Sequence, residues 1–279
     1  MKIAMKFQNL GNREILPTPY GDTFIRTIGR GPCVLVVHGG PGFDHRYLIE
    51  ALAPLAKKRT LIFYDQLGCG QSGEPYNYLA LAEIYRHFRW LAHYLSNGSP
   101  MGVIAHSWGT LVLIGSLADD NLVSEPIIRF DEGLLINPVP ICAQKYKLCA
   151  INLLNRIPLI ERIKIFKLVM LERDGAKIMK SLLPYYVEDV RAIPIDPFPL
   201  NKSIYRQISN RLRRFDYSSN LKGLSKLSVV MGMHDFVTLE LVKELIPHIS
   251  VMHKMEDIGH FPFWEAPEEF EKILMSSFG

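Results

Sequence analysis

The sequence predicts an α/β fold: a mostly parallel sheet flanked by helices, with a helical cap inserted after the sixth strand. Short, continuously apolar runs alternate with stretches of helical periodicity. Strands buried on both faces of a parallel sheet and joined by βαβ crossovers read this way. The alternation stops near Pro138 and resumes at Leu227, and the charge divides at the same places. Residues 139–226 hold 17 Lys and Arg against 7 Asp and Glu, whereas the rest of the chain holds 15 against 21. A core of 1–138 and 227–279 and a cap of 139–226 follow. A length of 279 residues suits one α/β domain with a large insertion.

Taken in order, the strand-like runs before the cap are CVLVVHG (33–39), TLIFYDQ (60–66), MGVIAHS (101–107) and EGLLINP (132–138), each ended by Gly, Pro or polar residues. Between them LALAEIYRHFRWLAHYLSNG (79–98) repeats apolar residues at three- and four-residue steps, with Gly98 as its stop. The cap region is helical, Lys/Arg-rich and broken by IPIDPFP (193–199). Its segment IPLIERIKIFKLVMLERDG (157–175) reads as amphipathic and basic. A helix lying apolar side down on the core is favoured there over a membrane-surface helix. LSVVMGMHD (227–235) restarts the sheet, followed by a helix over 238–247, SVMHKMEDIGH (250–260) and a last helix from Pro267.

Composition excludes several classes of function. A net charge of +4 is too small to argue for nucleic acid. No apolar run reaches the 18 residues of a membrane span, and MKIAMKFQNLGNREIL lacks the apolar stretch of a signal peptide, so a cytoplasmic protein without stable membrane insertion is expected. Cys33, Cys69, Cys142 and Cys149 form no C-x-x-C pair and no Cys/His cluster with metal-ligand spacing, so free, mostly buried thiols and no metal or cofactor are expected. Oligomeric state is not encoded in any motif.

The chemistry centres on Ser107, where MGVIAHS gives way to the helix-forming WGTLVLIGSLA. A serine on such a turn projects its hydroxyl beyond the carboxyl edge of the sheet, at a helix tip with unpaired N–H groups. Small residues are needed two before and two after, because strand and helix pass close together. Gly109 satisfies the second position and Ala105 adds one methyl at the first, so that A-H-S-W-G stands for G-x-S-x-G. HGGPG (38–42) follows a buried strand and leaves backbone N–H groups free, so Gly40 and Trp108 are the candidate oxyanion donors. One such donor contributes about 3–4 kcal/mol to transition-state stabilisation. Gly39, Pro41, Phe236 and Phe261 are candidates for the substrate pocket. His260, between a strand and the last helix, is the candidate base, and Asp235, at a strand end, the candidate acid. His253 lies mid-strand and reads as structural, His106 and His234 as packing or hydrogen-bonding residues, and Asp65 as a loop-shaping residue. His260 would take the Ser107 proton as the hydroxyl attacks a carbonyl, Asp235 would orient the ring, and water would hydrolyse the acyl-enzyme.

HGGPG, DQLGCGQS (65–72), AHSWG, GMHDFVT and GHFPFWEAPEEF together resemble the proline iminopeptidase branch of the α/β-hydrolases, over about residues 20–138 and 227–279. The resemblance implies an α/β-hydrolase core, the triad Ser107, Asp235 and His260 in that chain order, and oxyanion donors at Gly40 and Trp108. It implies an aminopeptidase acting on N-terminal proline in a short peptide. A carboxylate to hold the substrate amine belongs to that activity, and many smaller members of the branch place a Glu directly after the catalytic Asp. Here the position is Phe236, and Glu161, Glu172 and Glu188 of the cap are the remaining anchors. An aromatic at this position points to a pocket for an uncharged acyl group, hence to an ester, lactone or N-acyl amide. A binding protein that keeps the fold without catalysis is the reading from a different class.

Overall fold

The computed structural model describes residues 11–279 apart from 78, 120–121, 123–127, 172–173 and 195–199. Eight strands form one sheet: β1 (Asn12–Thr18), β2 (Gly21–Gly29), β3 (Cys33–Val37), β4 (Thr60–Tyr64), β5 (Met101–His106), β6 (Phe130–Ile136), β7 (Leu227–Gly232) and β8 (Val251–Met255). Their spatial order is β1-β2-β4-β3-β5-β6-β7-β8, antiparallel at β1/β2 and β2/β4 and parallel at every other pairing. The four apolar runs ahead of the cap are β3 to β6. The first two strands carry no such run because they form the antiparallel margin, where β1 is exposed along most of its length.

Around the sheet lie α1 (Arg46–Leu52), α2 (Leu81–Ser96), α3 (Trp108–Ala118), α8 (Leu239–Val242), α9 (Pro262–Glu265) and α10 (Pro267–Ser276). Alternate residues of the strands feed two cores. Leu35, Val37, Val103 and Ala105 pack towards α2 and α3. Val34, Val36, Ile104 and Ile136 pack towards α1 and α10. Burial on both faces is why the central strands read as unbroken apolar runs. Helix α2 buries Ile84, Tyr85, Phe88 and Leu91, the periodicity visible in the sequence, and ends at Asn97, left-handed at φ 50°, one residue before Gly98. The helix expected over 238–247 is shorter: α8 ends at Val242 and a 3-10 segment, Lys243–His248, replaces it. Pro247 is the reason, since it donates no backbone hydrogen bond and its ring crowds the carbonyl one turn earlier.

Between β6 and β7 lie α4 (Ala143–Arg156), α5 (Leu159–Leu171), α6 (Gly175–Leu182) and α7 (Lys202–Ser209), with short 3-10 turns and a single bridge, Cys142 to Asp216. Most of IPIDPFP falls outside the described residues. The expectation that α5 lies apolar side down holds only in part: Ile165, Leu168 and Val169 are half-buried, but no residue of α5 is fully buried, and Leu159, Ile160, Ile163, Phe166, Met170 and Leu171 are exposed. Apolar residues occur around the whole circumference of this helix, so composition alone does not specify which side faces the protein. Among the described residues no helix is long and apolar enough to cross a membrane. All four cysteines are free, Cys69 and Cys149 buried and Cys33 and Cys142 half-buried.

Candidate active site

Ser107 sits at the junction of β5 and α3 with φ 53° and ψ −122°, outside the ordinary regions for a residue with a side chain. Its N–H donates to the Ile136 carbonyl at 2.9 Å and fixes the turn against β6. A Cβ at Gly109 would stand 2.5 Å from the Val37 carbonyl oxygen and 2.7 Å from that of His38, so only glycine lets α3 approach β3 this closely. Ala105 needs no such concession: its methyl is fully buried in the core shared with α3.

The turn brings together the residues that the sequence places far apart. His260 Nε2 lies 2.8 Å from Ser107 Oγ, and His260 Nδ1 lies 2.7 Å from Asp235 Oδ2. All three side chains are at most 9% exposed, so their mutual polarisation is little screened by solvent. Asp235 is further held by the Val237 N–H to Oδ1 at 3.2 Å and by Asn137 Nδ2 to Oδ2 at 2.7 Å. Asn137 has φ 43°, a left-handed conformation that Asn tolerates, and also donates to the Gly259 carbonyl at 3.2 Å. The His260 N–H donates to the Tyr186 carbonyl of the cap at 2.7 Å. Glu265 ties the same loop to the cap, accepting from Gly259 N–H at 2.9 Å and Glu188 N–H at 2.7 Å.

The glycine loop is equally braced. Gly40 has φ 135°, and a Cβ there would meet the amide nitrogens of Gly42 and Phe43 at 2.9 and 3.0 Å. Gly40 N–H and Trp108 N–H make no hydrogen bond to another described residue. Gln66 organises the surroundings: its Nε2 donates to the His38 carbonyl at 2.9 Å, and its Oε1 accepts from Trp108 Nε1 at 2.9 Å. Its own N–H donates to His38 Nε2 at 3.0 Å, which leaves His38 Nδ1 to donate to the Gly39 carbonyl at 2.7 Å. Burial lowers the His38 pKa, consistent with this neutral tautomer.

A second chain of hydrogen bonds runs between the glycine loop and the histidine loop. Gly39 N–H donates to Tyr47 Oη at 2.6 Å, Tyr47 Oη lies 2.7 Å from His106 Nδ1, and His106 Nε2 lies 3.1 Å from the His260 carbonyl. One direction satisfies every atom: the Tyr47 hydroxyl donates to Nδ1 and His106 Nε2–H donates to the carbonyl. Burial, then the nearby His260, lower the His106 pKa and keep its ring neutral. His106 is therefore a hydrogen-bonding residue as expected. Gln66, Tyr47 and Asn137 escaped the sequence reading. The position of Gln66 beside Asp65 and of Asn137 at the end of β6 was the only available signal.

Asp65 shapes the loop after β4. Its Oδ1 accepts from His45 N–H at 3.0 Å and His45 Nδ1 at 2.7 Å, and its Oδ2 from Gln71 N–H at 2.8 Å. Burial alone would raise its pKa, but the His45 hydrogen bond and charge, with His38 and Gln71, hold the carboxyl below its ordinary value. Asp65→Ala is expected to cost about 3–5 kcal/mol of stability at neutral pH by stranding buried donors. Because the folded-state pKa is depressed, the contribution is present above the unfolded value and is lost as pH falls through the folded one. Denaturant titrations from neutral to strongly acid pH check both; a difference below about 1 kcal/mol at neutral pH would refute the assignment.

Phe236 is nearly buried, its ring 4.7 Å from that of His260 and 4.8 Å from that of Tyr186. Phe261 lies behind His260, stacked on Trp264 at 4.1 Å. Gly39 and Pro41, within the glycine loop, are buried. Of the cap acids, Glu161 pairs with Lys164, Glu188 lies 3.6 Å from His234, and Glu172 falls outside the described residues. His234 is half-exposed and also lies 3.5 Å from Asp257, and His253 sits half-buried in the middle of β8.

Comparison with known proteins agrees with this architecture. The proline iminopeptidase of Heyndrickxia coagulans is 27% identical over 268 residues, covering 88% of this chain and 90% of that protein. The crystal structure of a proline iminopeptidase-related protein from Thermus thermophilus superposes with a TM-score of 0.70 at 20% identity, covering 95% of this chain and 96% of that one. An esterase from Exiguobacterium antarcticum superposes with a TM-score of 0.69 at 15% identity, covering 96% and 98%. The family model described as the alpha/beta hydrolase family matches residues 34–273. With that match spanning most of its length, on a sheet of the corresponding topology, the chain belongs to the alpha/beta hydrolase family.

Proposed function

We propose that the protein is a serine hydrolase that cleaves a small, uncharged acyl ester or amide through an acyl-enzyme on Ser107. The observation that carries this reading is the continuous array Ser107 Oγ, His260 Nε2, His260 Nδ1, Asp235 Oδ2, at 2.8 and 2.7 Å. His260 Nε2 removes the hydroxyl proton as Oγ bonds to the carbonyl carbon, and Gly40 and Trp108 N–H groups receive the oxyanion. Collapse of the tetrahedral intermediate expels the alcohol or amine, which takes that proton from His260. Water, deprotonated by His260, then attacks the acyl-enzyme and frees the acid and Ser107. A protein that only binds ligands has no need of this array.

The acyl preference rests on Phe236 and Tyr186, whose rings pack beside His260. An apolar wall favours an uncharged acyl group over a protonated amine. Aminopeptidase action on N-terminal proline is the second reading, supported by the proline iminopeptidase relative at 27% identity. A substrate panel separates the two: a proline arylamide, its N-acetylated form, and short-chain aryl esters. Hydrolysis of the esters and of the acetylated amide is expected. Turnover confined to the free amine would overturn the uncharged-acyl reading and leave the aminopeptidase.

A further inference from the structure

We infer that the outward face of α5 docks on an anionic membrane surface, with the helix lying in the plane of the interface. Sixteen large apolar side chains are exposed among the described residues, and nine of them fall within residues 148–171, on two consecutive helices. On α5, Leu159, Ile163, Phe166 and Met170 follow one another at steps of four, three and four, so they form one stripe along the helix. Phe166 is 66% exposed and Leu159 70% exposed. Ile160 and Leu171 widen the stripe on the side that also carries exposed Lys164 and Lys167. The half-buried residues Arg162, Ile165, Leu168 and Val169 fall on the other side, which the protein covers.

Charge selects the occupant. Residues 139–171 contain six Lys and Arg and a single acid, Glu161, which is half-buried and pairs with Lys164. The last turns of α4 continue the pattern, with exposed Ile151 and Leu154 and no carboxylate. Apolar side chains at headgroup depth with lysines beside them complement anionic lipid. A second copy of the chain fits less well: a two-fold contact would set this face against itself, with lysines opposed and, among the described residues of 148–171, no exposed acid to meet them. At 13 residues α5 is about 20 Å long, too short to span a bilayer and long enough to lie in its surface. The patch is on the cap and the inference does not depend on the reaction proposed above.

Flotation with lipid vesicles tests it, using phosphatidylcholine alone and phosphatidylcholine mixed with phosphatidylglycerol. The full chain is expected to float with the mixed vesicles, less so at high salt, and weakly or not at all with phosphatidylcholine. The double variant I163D/F166D is expected to lose binding by roughly tenfold or more, and K164E/K167E to lose the preference for anionic lipid. These side chains are exposed, so circular dichroism and thermal melting should match the parent. Failure of the parent chain to float, or variants that bind as it does, would overturn the inference. So would a dimer in sedimentation equilibrium that I163D/F166D abolishes while neither protein binds vesicles.

Discussion

Ser107→Ala is expected to abolish turnover, lowering kcat by about 10⁴- to 10⁶-fold while the folded state is retained. Alanine keeps the backbone at φ 53° and the N–H bond to Ile136, so the junction of β5 and α3 has no new reason to open. What is lost is the hydroxyl against His260 Nε2, the atom that forms the acyl bond in the proposed reaction. The two parts of the expectation are measured separately. A fluorophosphonate probe should label the parent chain and leave the variant unlabelled, and the melting temperature should shift by no more than a few degrees. Residual labelling of Ser107→Ala would move the nucleophile elsewhere. A folded parent chain that takes no label and turns over no ester or amide would favour the binding protein.

The parts of the fold and site that were legible share a physical cause: each is dictated by local backbone geometry. Gly109 is needed because a Cβ would meet two carbonyl oxygens, and that constraint is readable from the pentapeptide alone. Strands β3 to β6 are buried on both faces, which leaves unbroken apolar runs. Ser107, Asp235 and His260 each follow a strand, so their order and spacing already placed them at one sheet edge. What was illegible depends on partners distant in sequence. Tyr47 reads as one more apolar residue of α1 until its hydroxyl is found between Gly39 and His106. Asn137 reads as a strand-ending polar residue until Asp235 is seen to accept from it. The exposed side of α5 is illegible for the same reason, since only tertiary packing decides which apolar side of such a helix is covered.

Asp235→Asn is expected to lower kcat by about 10⁴-fold with KM changed by no more than a few-fold. The reason lies in the count of donors around the carboxylate. Oδ2 accepts from His260 Nδ1 and Asn137 Nδ2, each at 2.7 Å, and Oδ1 accepts from the Val237 N–H at 3.2 Å. Every neighbour is a donor, and an amide offers only one acceptor oxygen. With that oxygen kept towards His260 and Asn137, the new NH₂ confronts the Val237 N–H. With the amide turned over, NH₂ faces Asn137 Nδ2 and His260 Nδ1, and the ring keeps Nδ1 as an acceptor only by carrying its proton on Nε2. That proton would then point at Ser107 Oγ, where the reaction needs an unprotonated nitrogen with its lone pair free. Either placement leaves a buried clash of donors or a histidine in the wrong tautomer, and neither disturbs the surfaces that bind substrate. Comparing kcat with KM therefore separates this role from simple loss of structure, which would lower the active fraction and the melting temperature together. If Asp235→Asn keeps more than about a tenth of the parent kcat, Asp235 is not the group that sets the histidine tautomer. Glu265, whose carboxylate reaches Gly259 beside His260, would be the acid to examine next.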